Sequence, residues 1–317
     1  MSLLSLLSLE TGASIPTLER IISTSPRRYK VYEIAKRSGG KRTIAHPAKE
    51  LKALQRVILH EILDKIEISS IATAYVKGRG IRYNAEHHAG QRWLLKLDFR
   101  NFFPSIVPND WDRIVKRSPE LSHLSKDRSA FHRLLFWGNG GKAPTCLSIG
   151  APTSPSVSNL VCHRLDLRMI SICQELGLVV TRYADDITVS GPAAGPLLKF
   201  ETELHRILEK SESLKLTLNQ KKRGIYGPGE RRMVTGLILT PDGKISIGRE
   251  RKREISSLIH KYKNDCLSES EIMRAKGLLG FAYSAERDFF GKLFDKYGES
   301  TILSLQRFDA DSILIDI

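Results

Sequence analysis

The sequence predicts an α+β chain: a small antiparallel sheet with acidic residues at its strand ends, helices packed about it, and a helical last quarter. Three observations predict this. Val179-Val180-Thr181-Arg182-Tyr183-Ala184-Asp185-Asp186-Ile187-Thr188-Val189-Ser190 has two alternating, β-branched arms around a short polar turn. That is the pattern of a hairpin with two adjacent carboxylates at its tip. Arg92-Trp93-Leu94-Leu95-Lys96-Leu97-Asp98 reads as a further strand, ending in a third Asp. Beyond residue 245 the apolar residues keep helical spacing, and Ser268-x-x-Glu271 forms a capping box. Aspartates are common in turns because their side chains bond nearby amides, so the Asp185-Asp186 pair alone decides little. A third carboxylate on a strand able to pair with the hairpin changes that. Two hard cations that activate an attacking hydroxyl and stabilise a leaving pyrophosphate need such a cluster on rigid elements.

With 317 residues, 41% of them hydrophobic, the chain can form two or three subdomains and a sizeable core. Its cysteines, Cys146, Cys162, Cys173 and Cys266, show no C-x-x-C pair and no zinc spacing, which points to a reducing compartment and no structural metal. The apolar start, Met1 to Leu9, lacks a basic flank and is too short to span a bilayer. It reads as a packed or partner-facing helix, and the chain as a cytoplasmic protein that does not enter a membrane. The net charge of +15 is unevenly spread. There are 11 Lys/Arg against 2 acids from Arg20 to Arg56, and 12 against 4 from Gln220 to Lys263, so two basic blocks flank a near-neutral centre. Two such walls suit a polyphosphate; two solvated helical surfaces would give the same counts.

The remaining elements follow in order. Gly39-Gly40 is a turn that places Lys41 and Arg42 at a hairpin tip, where they can clamp a triphosphate. Leu51, Leu54, Val57, Ile58 and Ile62 then keep a helical period, with Gln55 in step. From Ala74 to His88, glycines and basic residues interleave with Tyr and His, as suits single-stranded nucleic acid. His88 reads more simply as a buried, hydrogen-bonded histidine. After Asp98, Phe102 and Phe103 cannot both face one side of an extended segment, and Phe102 is the better core residue. Residues 109–145 read as two helical stretches and a turn, Gly138 to Ala143. That turn is no P-loop, because Phe136 stands where glycine is required and Ala143 where Ser or Thr is. Leu147–Pro155 is a small-residue loop able to approach a flat base pair. It opens a helix with Ser154 as N-cap, Pro155 at N1, a buried stripe of Val157, Leu160, Val161, Leu165 and Ile170, and Gly177 past its end. Leu197–Ser213 reads as a helix, Leu214–Asn219 as a short strand, Met233–Leu237 as a hairpin segment and Gly248–Lys263 as a basic helix.

In this order the motifs resemble those of reverse transcriptases over nearly the whole chain. Asp98 to Phe103 is similar to motif A, Leu147 to Pro155 to motif B, Tyr183 to Asp186 to motif C, Asn219 to Lys222 to motif D and Met233 to Leu237 to motif E. Motif B departs from many relatives in having Ile149 where they have Gln. Asn84-Ala85-Glu86-His87-His88 and Val234-Thr235-Gly236 resemble signatures of the retron branch. The resemblance implies a right-hand polymerase: an N-terminal extension and fingers over 1–90, a palm (antiparallel sheet plus helices) with an inserted fingers segment over 91–244, and a helical thumb over 245–317. It implies that Asp98, Asp185 and Asp186, with the Phe99 backbone carbonyl, hold two Mg2+ ions. Lys41, Arg42, Asn101, Phe102, Phe103, Gly150 and Lys222 would surround a deoxynucleoside triphosphate. In that set Phe103 blocks a 2′-hydroxyl and Lys222 assists the leaving pyrophosphate, although a solvated lysine explains Lys222 almost as well. Asn84 and His88 would read RNA, while Arg249, Arg251, Lys252 and Arg253 would contact its phosphates, two or three of them from one helix face. The implied function is copying a structured non-coding RNA, template and primer in one, into branched single-stranded DNA by two-metal nucleotidyl transfer. An anti-phage defence system with a separate effector protein is implied as its setting. Two alternatives stand beside it: another prokaryotic reverse transcriptase, of group II intron or abortive-infection type, and a non-catalytic RNA-binding scaffold.

Overall fold

The computed structural model describes residues 2–36, 39–211 and 214–308. Helices α1 (Leu3–Thr11) and α2 (Ile15–Thr24) lead into a hairpin, β1 (Tyr29–Ala35) and β2 (Lys41–Pro47), and helix α3 (Lys49–Glu61). Then come α4 (Ile81–Glu86), β3 (Trp93–Asp98), α5 (Phe102–Ser105), α6 (Pro108–Arg117), α7 (Arg128–Leu135), the long α8 (Ser154–Leu176), β4 (Val179–Tyr183), β5 (Asp186–Gly191) and α9 (Ala194–Glu209). Four short strands, β6 (Gly224–Tyr226), β7 (Met233–Val234), β8 (Leu237–Leu239) and β9 (Ile245–Ser246), precede the closing helices α10 (Arg249–Lys263), α11 (Glu269–Ala285), α12 (Arg287–Tyr297) and α13 (Glu299–Arg307). Sheet order is β1-β2, β4-β5-β3-β6 and β7-β8-β9, an α+β chain of helices and antiparallel strands. Among the described residues no helix is long and apolar enough to cross a membrane. Two compact units emerge: residues 1–76, 95–189 and 195–224 in the first, and 77–94, 190–194 and 225–317 in the second.

In the first unit, the β1–β2 register runs from Tyr29↔Pro47 to Ala35↔Lys41, which brings Lys41 and Arg42 to the turn end as expected. The buried face of α3 is Leu51, Leu54 and Ile58, and Gln55 joins it by donating to the Leu134 carbonyl at 2.7 Å and to the Tyr29 hydroxyl at 3.1 Å. Several expectations need correction here. The N-cap position of α8 is Thr153, not Ser154; Thr153 has helical backbone angles, and neither side chain makes a capping bond. The buried stripe of α8 passes through Cys162, Leu165, Asp166, Met169 and Cys173 and leaves Ile170 partly exposed, because Asp166 is turned inward to meet a charge. The helix expected over Leu197–Ser213 runs Ala194–Glu209, and Ser213 lies outside the described residues. In place of a strand over Leu214–Asn219 there is one bridge, Phe99↔Leu218, flanked by Arg100 N–H to Thr217 O (2.8 Å) and Asn219 N–H to Asp98 O (2.7 Å). A ladder needs a partner along its length, and β3 ends at Asp98. Between α6 and α7 a run of 3-10 helix, Pro119–Asp127, adds a third helical piece to the two expected.

The second unit buries Leu94, Val234, Leu237, Ile255, Leu279, Leu293 and Ile302 in one cluster. Its β7–β8 connection is two residues, Thr235 and Gly236, both with positive φ (46° and 84°), the combination a tight twisted hairpin requires. Asn84 and His88 are 1% and 0% exposed. Asn84 donates toward the Thr235 hydroxyl at 3.5 Å, Thr235 donates to the Ile81 carbonyl at 3.1 Å, and His88 Nδ1 lies 2.7 Å from the Ser190 hydroxyl. The expectation that Asn84 and His88 read RNA is therefore corrected. Their side chains fasten α4 to the Val-Thr-Gly hairpin and to the end of β5, and a residue excluded from solvent does not touch a strand laid on the surface.

Burial pushes the His88 imidazole down to about 3, with the neighbouring His87 adding to it. The folded chain thus resists a proton that the unfolded chain takes up below about pH 6.5. The resulting stability is full above pH 6.5 and is lost as pH falls from there toward 3. Between pH 7 and pH 5 the unaltered protein should lose about 2 kcal/mol more stability than a His88→Asn variant, which keeps a polar group near Ser190 but cannot titrate. Urea unfolding at both pH values measures the difference; equal losses would show that His88 is not neutral inside the fold.

Candidate active site

The catalytic candidates converge through backbone geometry. The β4–β5 hairpin turns on two residues, Ala184 and Asp185, with Ala184 in the left-handed region at φ 58°. Phe99 N–H donates to the Asp185 carbonyl at 3.0 Å, so the residue after Asp98 is tied to the residue at the turn. Asp98 is 3% exposed and carries Lys222 Nζ at 2.5 Å and Asn219 Nδ2 at 3.3 Å. The Asp186 side chain lies close to that of Asp98. Burial and then the Asp98 charge raise the Asp185 carboxyl above its usual range, with Lys222 and Arg42 opposing. Burial, the Asp185 charge and the Asp98 contact push Asp186 up to about 6, with Lys96 opposing. Burial works against the Lys222 charge, but its hydrogen bond to Asp98 and the three carboxylates hold it above the usual lysine range.

Behind this turn lies a buried ion pair that the sequence reading missed. Arg182, wholly buried, donates to both Asp166 oxygens at 2.7 Å, to Asn159 Oδ1 at 3.1 Å and to the Ala184 carbonyl at 3.2 Å. A planar guanidinium suits this fork, and it fixes the strained turn from within. Asn159 also donates to the Ala74 carbonyl at 3.0 Å, and the Arg182 backbone bridges Ala72. The available signal was an Arg in an apolar strand and an Asp on the apolar face of a helix, two charges on buried positions that call for each other.

The remaining predicted residues lie as follows. Phe102 is buried and stacks on Phe99 at 5.9 Å, whereas Phe103 is only partly buried, which settles which ring is core. Phe103 touches Phe102 at 5.6 Å and Tyr75 at 6.4 Å between ring centroids. Asn101 is exposed and left-handed at φ 50°. Gly150 has φ 130°, and a Cβ there would lie 2.9 Å from the Ala45 carbonyl. Ala45 N–H in turn donates to the Ile149 carbonyl at 2.9 Å, so the close approach that requires glycine is to β2. Lys41 pairs with Glu33 at 2.8 Å on an exposed surface, a weak tie, and Arg42 is exposed. In α10, Lys252 is engaged by Glu286 and lies over Phe289 at 5.2 Å, and Arg251 lies over Phe281 at 4.8 Å. Arg249 and Arg253 are the exposed pair.

By their chemistry, three converging carboxylates fit a hard divalent cation: like charges crowded out of water raise one another, and a cation between them relieves that. As the side chains stand, Asp98 is engaged by Lys222 Nζ at 2.5 Å. Among the described residues no group of three or more Asp, Glu, His or Cys side chains encloses a metal position. The Lys222 ammonium supplies part of the positive charge that a cation would bring.

The family described as Reverse transcriptase (RNA-dependent DNA polymerase) matches residues 34–242 of this chain. A retron Ec83 reverse transcriptase of Escherichia coli is 36% identical over 297 residues, 92% of this chain and 95% of its own. A retron Ec86 reverse transcriptase, also of Escherichia coli, is 34% identical over 305 residues, 93% of this chain and 91% of its own. Among solved structures, telomerase from Candida albicans in complex with a telomeric RNA fragment aligns over 90% of this chain and 61% of its own, at 13% identity and a TM-score of 0.48.

Removing one partner of the Arg182–Asp166 pair leaves a buried charge uncompensated. Asp166→Ala should cost about 3–5 kcal/mol in urea unfolding, and Arg182→Met with Asp166→Leu should regain most of it. A loss under about 1 kcal/mol for the single variant would contradict the role given to the pair.

Proposed function

This chain belongs to the retron reverse transcriptases and is an RNA-directed DNA polymerase, and from that premise we propose how its residues divide the work. Membership of the family implies a divalent metal. Our reading is that Asp98, Asp185 and Asp186, with the Phe99 carbonyl, hold two Mg2+ ions that lower the barrier to attack by a primer hydroxyl on the α-phosphate. The observation that carries this is the convergence of Asp98, at the end of β3, with Asp185 and Asp186 at the β4–β5 turn, tied together by Phe99 N–H on the Asp185 carbonyl at 3.0 Å.

The chain's own residues then bind and orient. Lys41 and Arg42, exposed at the hairpin tip, meet the triphosphate together with the amides of Asn101 and Phe102 and the Gly150 loop. To Phe103, a partly exposed ring, we assign the exclusion of a 2′-hydroxyl. Lys222, already within 2.5 Å of Asp98, is placed to neutralise charge on the departing pyrophosphate. Arg249 and Arg253 are the candidates for RNA phosphate contact, while Arg251 and Lys252 are held against Phe281 and Phe289. We assign an N-terminal extension and fingers to 1–90, a palm with an inserted fingers segment to 91–244 and a thumb to 245–317. The template is a structured non-coding RNA, and the product is branched single-stranded DNA. The setting is the cytoplasm, and the use is anti-phage defence alongside a separate effector protein.

Primer extension on an RNA template tests the assignment. Asp185→Asn should abolish DNA synthesis in Mg2+, by a factor of about 10³ or more, while RNA affinity stays within about twofold. Synthesis near the unaltered rate would overturn the carboxylate assignment.

A further inference from the structure

Tyr75 has no part in the scheme above, yet its surroundings are unusual. It is a bulky residue with φ 63°, a backbone region that glycine enters freely and that large side chains rarely adopt. Its conformation is imposed from outside. The Ala74 carbonyl is held by Asn159, Thr73 N–H donates to the Arg182 carbonyl at 2.9 Å, and Arg182 N–H donates to the Ile71 carbonyl at 2.7 Å. Ala72, Thr73 and Ala74 are all buried. The frame that grips the Ala184 turn therefore also delivers Tyr75 to its place. Strain of this kind persists where the surrounding structure over-determines it, and such sites are often functional.

What the frame delivers is a ring that is 50% exposed, so its burial contributes little to the core. The ring lies against Phe103 at 6.4 Å and 42°, within the usual range for an aromatic pair. Phe103 is backed on its other side by Phe102, which stacks on Phe99. The row Phe99–Phe102–Phe103–Tyr75 starts beside Asp98 and is anchored at its inner end by two buried rings. Its outer end, Tyr75, lies within electrostatic reach of both Asp185 and Arg42. On the polymerase reading, the sugar of an incoming nucleotide lies near these two charges, since one is a catalytic carboxylate and the other is assigned to the triphosphate.

We propose that Tyr75 is the second wall of the sugar gate: its ring holds Phe103 in one position, and rejection of ribonucleoside triphosphates needs both rings. Tyr75 is a positioning and specificity residue in this scheme, acting through Phe103, and the idea rests on the polymerase reading given above. The ring is what acts, so the phenol oxygen is dispensable. The rival role for a half-exposed tyrosine is stacking on a template base. Stacking would weaken both sugar types equally, whereas a gate changes their ratio.

The test uses the full chain and a DNA primer on an RNA template, with kcat/KM measured for a deoxyribonucleotide and its matching ribonucleotide. Phe103→Ala should lower the deoxy-over-ribo ratio about 100-fold, the scale on which a packed pocket discriminates a single added group. Tyr75→Ala should lower it about 10-fold, and the double variant should fall no further than Phe103→Ala alone, since the two rings act as one unit. Tyr75→Phe should keep the ratio within about twofold of the unaltered enzyme. Tyr75→Gly removes the ring and the backbone strain together, so it should fold at least as well and lose the same selectivity. A ratio unchanged in Tyr75→Ala and Tyr75→Gly, or losses equal for both sugars, would overturn the proposal while leaving the polymerase reading intact. Failure of the unaltered chain to extend the primer at all would overturn the reading itself.

Discussion

Repulsion among Asp98, Asp185 and Asp186 is the constraint to which the rest of the first unit answers. Three carboxyls sit together largely out of water; burial and the Asp98 charge raise Asp185, and burial with the Asp185 and Asp98 charges raises Asp186. Left to themselves, such groups would separate. They stay because each is fixed through its backbone: Asp98 ends β3, Asp186 begins β5, and the Asp185 carbonyl accepts from Phe99 N–H. The Lys222 ammonium, 2.5 Å from Asp98, balances part of the charge.

The turn itself is held from behind by a second set of charges whose geometry is the opposite of the first. Arg182 and Asp166 are fully buried but fully satisfied, with a bidentate fork and two further acceptors on the same guanidinium. A pair this well bonded contributes little net stability over apolar packing. Its value lies in specificity, because the same side chains fix the Ala184 carbonyl, the face of α8 and, through Asn159, the Ala74 carbonyl ahead of Tyr75. Unsatisfied charge at the front and satisfied charge behind are two halves of one arrangement.

Much of this was legible in the sequence, and the legible parts are local. The Asp185-Asp186 hairpin, the strand ending in Asp98, the Gly39-Gly40 turn that carries Lys41 and Arg42 to a tip, and the Ser268–Glu271 capping box are all encoded within a few residues. The misses are long-range. A buried, hydrogen-bonded His88 is the simpler reading, but nothing near Asn84 or His88 announces that Thr235 and Ser190 will be the partners. Glycine, aromatic and basic residues in a row look the same whether they meet RNA or a hairpin. The apolar face of α8 shifted because Asp166 met Arg182, 16 residues away. Leu214–Asn219 has the alternation of a strand but finds a partner only at Phe99. Tyr75 looked like one more loop aromatic, since its left-handed backbone depends on contacts from α8 and β4.

The acidic cluster is kept under electrostatic strain, and a divalent cation should relieve it. Thermal unfolding of the unaltered chain and of Asp186→Asn, each in EDTA and in Mg2+, tests this without any nucleic acid. The amide should bond to Asp98 without adding charge, so Asp186→Asn should melt above the unaltered protein in EDTA. Mg2+ should raise the melting temperature of the unaltered protein and leave the variant nearly unmoved. If Asp186→Asn instead melts lower in EDTA, and Mg2+ moves neither protein, the carboxylates are not a strained cation site and the account is wrong at its centre.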